Sequence, residues 1–600
     1  MRKLLIYLKN YKKETVLAPL FKMLEAGFEL FVPLVMASII DRGIGGSRYL
    51  AIDIDDVSAA GYGDTAFVLR MGALLVALGV IGLVCSITAQ YYAAKAAVGF
   101  STEIKHALFE HIQGLSYTEI DTLGTSTMIT RMTSDVNQVQ NGVNMVLRLF
   151  LRSPFIVFGA MIMAFTIDVK AALIFVVTIP LLSVVVFGIM MLTMPLYRKV
   201  QAGLDSILSA TRENLTGARV IRAFNKEKEE IDAFEEKNNA FAHMQLFVGK
   251  ISALTNPVTF VIVNVATVVL LYTGAVRVDE GTITRGQVVA LVNYMSQILV
   301  ELVKLANLII TITKALACAN RIQGVFEIHS GMEWKQVFDE QKQERETKGD
   351  MPYAVEFEHV HLKYAGAGAE SLSDIDFRVR RGQTVGIIGG TGSGKTSLVN
   401  MIPRFYDATE GTVRIDGRDV RDYSMEELRS RVRTVPQKAV LFRGTIRENM
   451  LWGKDDATDE EIWKALNTAQ AGEFVEQKEG RLDFRITQDG RNLSGGQRQR
   501  LTIARALVGN PEILIMDDSA SALDYATDAA LRQAIHSVGG NMTVFIVSQR
   551  TSSIRYADQI IVLDDGEAAD IGTHEELLKR CDVYREIYYS QYPKEGEGTV

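Results

Sequence analysis

Six apolar stretches, each long enough to cross a bilayer as a helix, crowd the first half of this 600-residue sequence and then stop. A hydrocarbon core about 30 Å thick needs roughly 20 consecutive apolar residues. The stretches lie at about 17–40, 67–92, 143–167, 171–194, 251–276 and 288–313, and the fourth and fifth hold no charged residue. A large soluble protein can bury one such helix, but six in succession predict a membrane domain over residues 1–325. The overall composition, 48% apolar and 22% charged, therefore averages two unlike halves, because the chain beyond about 330 is mixed and polar. The N-terminal run MRKLLIYLKNYKKE is basic, and its apolar part is too short for a signal peptide. It reads as an interfacial segment leading into the first span.

Charge and cysteines remove other classes. A net charge of −7 gives no field for nucleic acid, and Cys85, Cys318 and Cys581 lie too far apart for a zinc site or a disulfide framework. Lys and Arg between the spans set the orientation. Seventeen fall in the tail and in the loops at about 93–142 and 195–250, against five in the opposite loops. The tail and those two loops are predicted cytoplasmic, as is everything after about 315. Both inner loops are long and carry apolar residues at helical spacing, as in ENLTGARVIRAFNKEKEEIDAF, so the spans should continue as helices into the cytoplasm.

Polar residues within the spans are expensive. Glu25 and Glu29 lie one turn apart in the first span, and Asn293, Gln297, Glu301 and Lys304 form one stripe in the last. Either they line a cavity that touches substrate, or they hydrogen-bond helix to helix. The sequence leaves both readings open.

A charged linker at 326–352 opens the second half. A strand-like alternation follows, and then TVGIIGGTGSGKTSLVNMI, an apolar run, a glycine-rich turn and a helix start. In G-x-x-x-x-G-K-T, from Gly389 to Thr396, backbone N–H groups can curl around a phosphate at the positive end of a helix. Gly389, Thr391, Gly392, Ser393, Gly394, Lys395, Thr396 and Ser397 are the predicted nucleotide contacts. Lys395 would bridge the β- and γ-phosphates and Thr396 would ligate Mg²⁺. The run ILIMDD, Ile513–Asp518, is an apolar strand that sets Asp517 on the same metal. LSGGQRQR places Ser494, Gly495, Gly496 and Gln497 at a second helix start, a second phosphate cradle. A chain that already has one cradle would offer the second to a nucleotide held by another copy of the domain.

The LSGGQ run, the Gly389–Thr396 loop, the Asp517 strand and SALD (Ser521–Asp524) together resemble the ATP-binding-cassette superfamily. Six spans before one cassette resemble a half-transporter of the multidrug and peptide exporter type. The resemblance implies a six-span α-helical membrane domain followed by an α/β P-loop domain, residues 353–590, with an antiparallel β subdomain. It implies ATP and Mg²⁺ as ligands, Tyr364 stacked on adenine, Gln437 reaching Mg²⁺, and Asp524 in the loop after the Asp517 strand. It also implies a partner half, a lipid environment, an amphipathic substrate, and residence in a bacterial plasma membrane.

Three positions depart from the family pattern. Asp518 stands where the family usually has glutamate, the base for the attacking water. Gln549 stands where it has histidine, and Gln488–Asp489–Gly490 replaces a Glu-Gly pair. Aspartate is one methylene shorter, about 1.5 Å, and a missing base costs about 10²–10⁴-fold in rate. A homodimer would carry that loss in both sites. The expectation is a heterodimer whose partner supplies Glu and His, with this chain contributing a slow site and an intact LSGGQ. A homodimeric lipid or peptide flippase and an ATP-gated channel are the alternatives.

Overall fold

The computed structural model describes residues 3–44, 65–335, 352–519, 522–538 and 542–592. Arg2, Arg48, most of the outer loop at 41–66, most of the linker, and Ser521 of SALD fall outside the described residues. The chain divides into two compact units, one of residues 1–113 with 126–328, the other of residues 114–125 with 329–600.

In the first unit, six helices are long and apolar enough to cross a membrane: Leu4–Gly43, Thr65–Gln113, Thr125–Ile167, Val169–Thr216, Glu227–Asp279 and Arg285–Phe326. The second has 49 residues and the fourth 48, which at 1.5 Å per residue is about 70 Å, more than twice a hydrocarbon core. The long inner loops are therefore largely helix. The first and second spans approach closely through alanines, since Ala18, Ala26, Ala37, Ala89, Ala93 and Ala96 are buried and small side chains permit tight packing in lipid. Val177, Val184, Val265 and Val268 are more than half exposed, the face an apolar helix presents to lipid.

The second unit is a P-loop α/β domain. Its antiparallel sheet runs β2-β1-β4-β5, with β1 Tyr353–Leu362, β2 Leu372–Arg380, β4 Glu410–Ile415 and β5 Arg418–Asp419. The core sheet runs β12-β11-β3-β10-β9-β6, with β3 Thr384–Gly389, β6 Val432–Val435, β9 Ile513–Asp517, β10 Thr543–Val547, β11 Gln559–Asp564 and β12 Glu567–Gly572. A two-stranded ribbon of β7 Gly444–Thr445 and β8 Arg485–Ile486 completes it. Strands β3, β9 and β10 are parallel and buried on both faces, which is why TVGIIG, ILIMD and TVFIV read as unbroken apolar runs. Val547 pairs with both Asp517 and Ile387, so these strands end level.

The segment Gly114–Thr125 belongs to this second unit although the helices on either side of it belong to the first. It holds a short helix, Tyr117–Leu123, capped by Ser116 and Glu119 and ended by Gly124 at φ +74°. Tyr117 packs on Phe405 with ring centroids 4.6 Å apart, and the Tyr406 hydroxyl donates to Asp121 at 2.5 Å.

Candidate functional site

Three strand ends build one cleft. The loop after β3, the acids ending β9 and the residues after β10 leave the carboxyl edge of the parallel sheet together, where α/β proteins place ligands. The cleft holds about 290 Å³ and is lined by Thr391, Gly392, Gly394, Lys395, Thr396 and Ser397 from the loop, with Gln437, Asp517, Asp518, Ser548 and Gln549 facing them. Gly394 precedes the helix Lys395–Met401 at φ +91°, a left-handed conformation suited to glycine. A Cβ there would also meet the Ser371 carbonyl at 2.7 Å.

Lys395 folds back on its own loop, donating to the carbonyls of Gly389 and Gly390 and to the Ser393 hydroxyl. Partial burial lowers its pKa, with Asp518 and Asp517 opposing the shift. A desolvated ammonium among carbonyl oxygens is poised to exchange them for phosphate oxygens. The Thr396 hydroxyl donates to the Asp517 carboxylate at 3.1 Å, and burial raises the pKa of Asp517. A hydroxyl and a carboxylate this close, with the Gln437 amide in the same lining, are an all-oxygen donor set that fits Mg²⁺ beside phosphates. The metal would neutralise phosphate charge there.

Asp518 takes φ +43°, and its N–H donates to the Val547 carbonyl. Burial is the largest influence on its carboxyl and raises the pKa, while Gln437, Arg550 and Lys395 pull it down. Gln549 is exposed in the cleft. Two of the three departures from the family pattern, Asp518 and Gln549, thus stand in one site, and Gln488–Asp489–Gly490 lies outside its lining.

The predicted signature residues do not line this cleft. Ser494 caps the helix Gly495–Leu507 by accepting from the Gln497 N–H, and the Gln497 side chain accepts from the Ser494 N–H. Gly495 has open space where a side chain would stand. Asp524 accepts from the N–H and the hydroxyl of Thr527, which holds its carboxyl below the usual range. Tyr364 also lies outside the cleft lining. Its hydroxyl donates to Ser397 at 2.9 Å and its ring stands edge-on to Tyr406, centroids 5.0 Å apart.

The polar stripes resolve into ion pairs. Arg152, which the sequence reading did not single out, donates to Glu301 at 2.8 Å and to Glu29 at 2.7 Å. Glu301 also accepts from Ser153 and Lys304. Lys22, equally unforeseen, binds Glu25 at 2.5 Å and reaches Ser86 at 3.1 Å. Asn293 is exposed, and the Gln297 side-chain oxygen is buried without a partner. The signal for Arg152 was its charge inside an apolar run.

Residues 15–302 match the family model described as ABC transporter transmembrane region, and residues 372–521 the model described as ABC transporter. An uncharacterized ABC transporter ATP-binding protein of Mycobacterium tuberculosis is 35% identical, with 98% of this chain and 97% of that protein covered. The Bacillus subtilis "Putative multidrug export ATP-binding/permease protein YgaD" is 32% identical, over 98% and 99% of the two chains. An ATP-dependent lipid A-core flippase of Yersinia pestis is 29% identical, over 98% and 97%. The solved structure of a bacterial Atm1-family ABC exporter with ATP bound superposes with TM-score 0.75 at 23% identity, covering 97% of this chain and 99% of that one, a likeness of fold. The chain belongs to the ABC transporter family: it is an exporter half, with a six-helix membrane domain and an ATPase domain, and an integral protein of a bacterial membrane.

Proposed function

We propose that this chain is the slow-site half of a heterodimeric exporter of amphipathic small molecules. The observation that carries the reading is the lining of the cleft: Asp518 and Gln549 stand with Lys395, Thr396 and Asp517 in one site, while Ser494 and Gly495 lie exposed outside it. In this reading the glycine loop and Lys395 hold the phosphates, with Thr396, Asp517 and Gln437 as the Mg²⁺ ligands. Asp518, one methylene short, orients the attacking water poorly, and Gln549 offers the terminal phosphate a neutral hydrogen bond where histidine would offer a charged one. ATP then persists here and holds two cassettes together, while the LSGGQ of this chain closes the partner's faster site. The cassette and the N-terminus face the cytoplasm, as the Lys and Arg bias supports.

The relative named for multidrug export supports the substrate class. The relative named as a lipid A-core flippase supports a second reading, a lipid-handling homodimer. Purifying the chain alone and beside its natural neighbour decides between them. Low ATP turnover by the lone chain and brisk, substrate-stimulated turnover by the pair are expected. Brisk stimulated turnover by the lone chain would overturn the heterodimer.

A further inference from the structure

The last helix of the cassette reaches the ATP cleft through one side chain. Gln591 ends the helix Asp582–Gln591. Its Oε1 accepts from the backbone N–H and from the hydroxyl of Thr551, both at 2.9 Å, and its Nε2 donates to the Gln549 carbonyl at 2.7 Å. The amide can face only this way, because the Thr551 N–H needs an acceptor and the Gln549 carbonyl needs a donor. Thr551 begins the short helix Thr551–Ile554, and Arg550 before it supplies no side-chain cap. Gln591, forty residues later in the chain, gives that helix the acceptor a local Ser or Asp usually gives. Nearer by, the Arg550 N–H donates to the Ser548 hydroxyl at 3.0 Å. The peptide that carries the Gln549 side chain is thus gripped by a residue that does not itself line the cleft.

We infer that Gln591 is a positioning residue for the ATP site: by fixing the Gln549 peptide it aims the Gln549 carboxamide at the terminal phosphate, so the C-terminal helix sets how well the site tells ATP from ADP. The inference rests on the proposed reading of the cleft, with Gln549 at the end where the third phosphate lies. The loop and Lys395 serve the phosphates that ADP also carries. Loosening the Gln549 peptide should therefore weaken the grip on a nucleoside triphosphate and spare the diphosphate. One neutral hydrogen bond corresponds to about threefold to tenfold in affinity.

The test is equilibrium binding of AMP-PNP and of ADP, each with Mg²⁺, to the purified full chain in lipid nanodiscs. Gln591→Ala should lower AMP-PNP affinity about threefold to tenfold and leave ADP within about twofold. Gln549→Ala should match it, and the double variant should be no worse than either, because both remove one contact. Gln591→Glu keeps both bonds from Thr551, so the fold stays capped, but it cannot donate to Gln549; it should show the same selective loss. Unchanged AMP-PNP affinity in Gln591→Ala, equal loss of both nucleotides, additive losses in the double variant, or wild-type binding by Gln591→Glu would each overturn the inference. Turnover by the lone chain bears on the heterodimer reading and leaves these ratios untouched.

Discussion

Gln437 and Asp518 meet across the ATP cleft, the glutamine amide donating to the aspartate carboxylate at 3.4 Å. The amide can serve two neighbours at once, its Nε2 donating to Asp518 while its Oε1 is left for Mg²⁺ in the proposed reading. In the proposed reading, a carboxylate one methylene short and turned toward Gln437 stands back from the place where a glutamate would meet water.

Asp518→Glu with Gln549→His should therefore let this site hydrolyse. Single-turnover ATP hydrolysis at this site in the assembled pair is expected to rise by one to several orders of magnitude, the scale of a restored general base, about 10²–10⁴-fold. No rise at all would mean that these two residues are not what makes the site slow.

Lys395→Ala removes the ammonium that now rests on the Gly389 and Gly390 carbonyls. Charge-assisted contacts to phosphate are about twice as strong as neutral ones, so photolabelling of this chain by an azido-ATP analogue should fall well below wild type. Labelling at the wild-type level would show that the loop holds nucleotide without it.

In the proposed reading, Ser494→Ala or Gly495→Asp acts on the partner's site. Gly495 has empty space at its Cβ, so the aspartate fits the fold, and in the proposed reading its charge would stand where the partner's phosphate binds. Steady-state phosphate release by the assembled transporter should drop by about 10²-fold or more, the scale of a lost transition-state contact. ATP at this chain's own loop should be retained. Release within twofold of wild type would remove the assignment of the signature.

Arg152→Ala leaves Glu301, 3% exposed, with Lys304 and Ser153 but without one of its two cations, and takes the cation from Glu29 as well. Breaking a buried ion pair from one side costs about 3–5 kcal/mol, so the thermal stability of the nanodisc-held protein should fall markedly. Arg152→Met with Glu301→Gln should recover part of the loss, because no fully buried charge remains and only the half-exposed Glu29 and Lys304 lose a partner. If the single variant melts with wild type, the network contributes nothing to stability.

The parts legible in the sequence are those whose signal is local. Unbroken apolar runs gave the spans and the parallel strands, and Gly389–Thr396 gave the phosphate loop, because each pattern closes within about twenty residues. Arg152 with Glu301 is different: the partners lie 149 positions apart, and nothing near either one names the other. Gln591 with Thr551, 40 positions apart, is hidden for the same reason, and a glutamine at the end of a polar helix looks like surface. The polar stripes were visible as stripes, but the cation that joins Glu29 to Glu301 came from a third helix.

The segment Gly114–Thr125 shows that the boundary between the two units is crossed three times by the chain rather than once. A cassette cut out at residue 329 would therefore be an incomplete object. It would lose Tyr117 from the face of Phe405 and Asp121 from the hydroxyl of Tyr406, leaving an aromatic socket bare. Exchange of cassettes between related exporters is constrained in the same way. A grafted domain must accept a plug that the recipient's own N-terminal half supplies, so plug and socket have to be inherited, or engineered, as a matched pair.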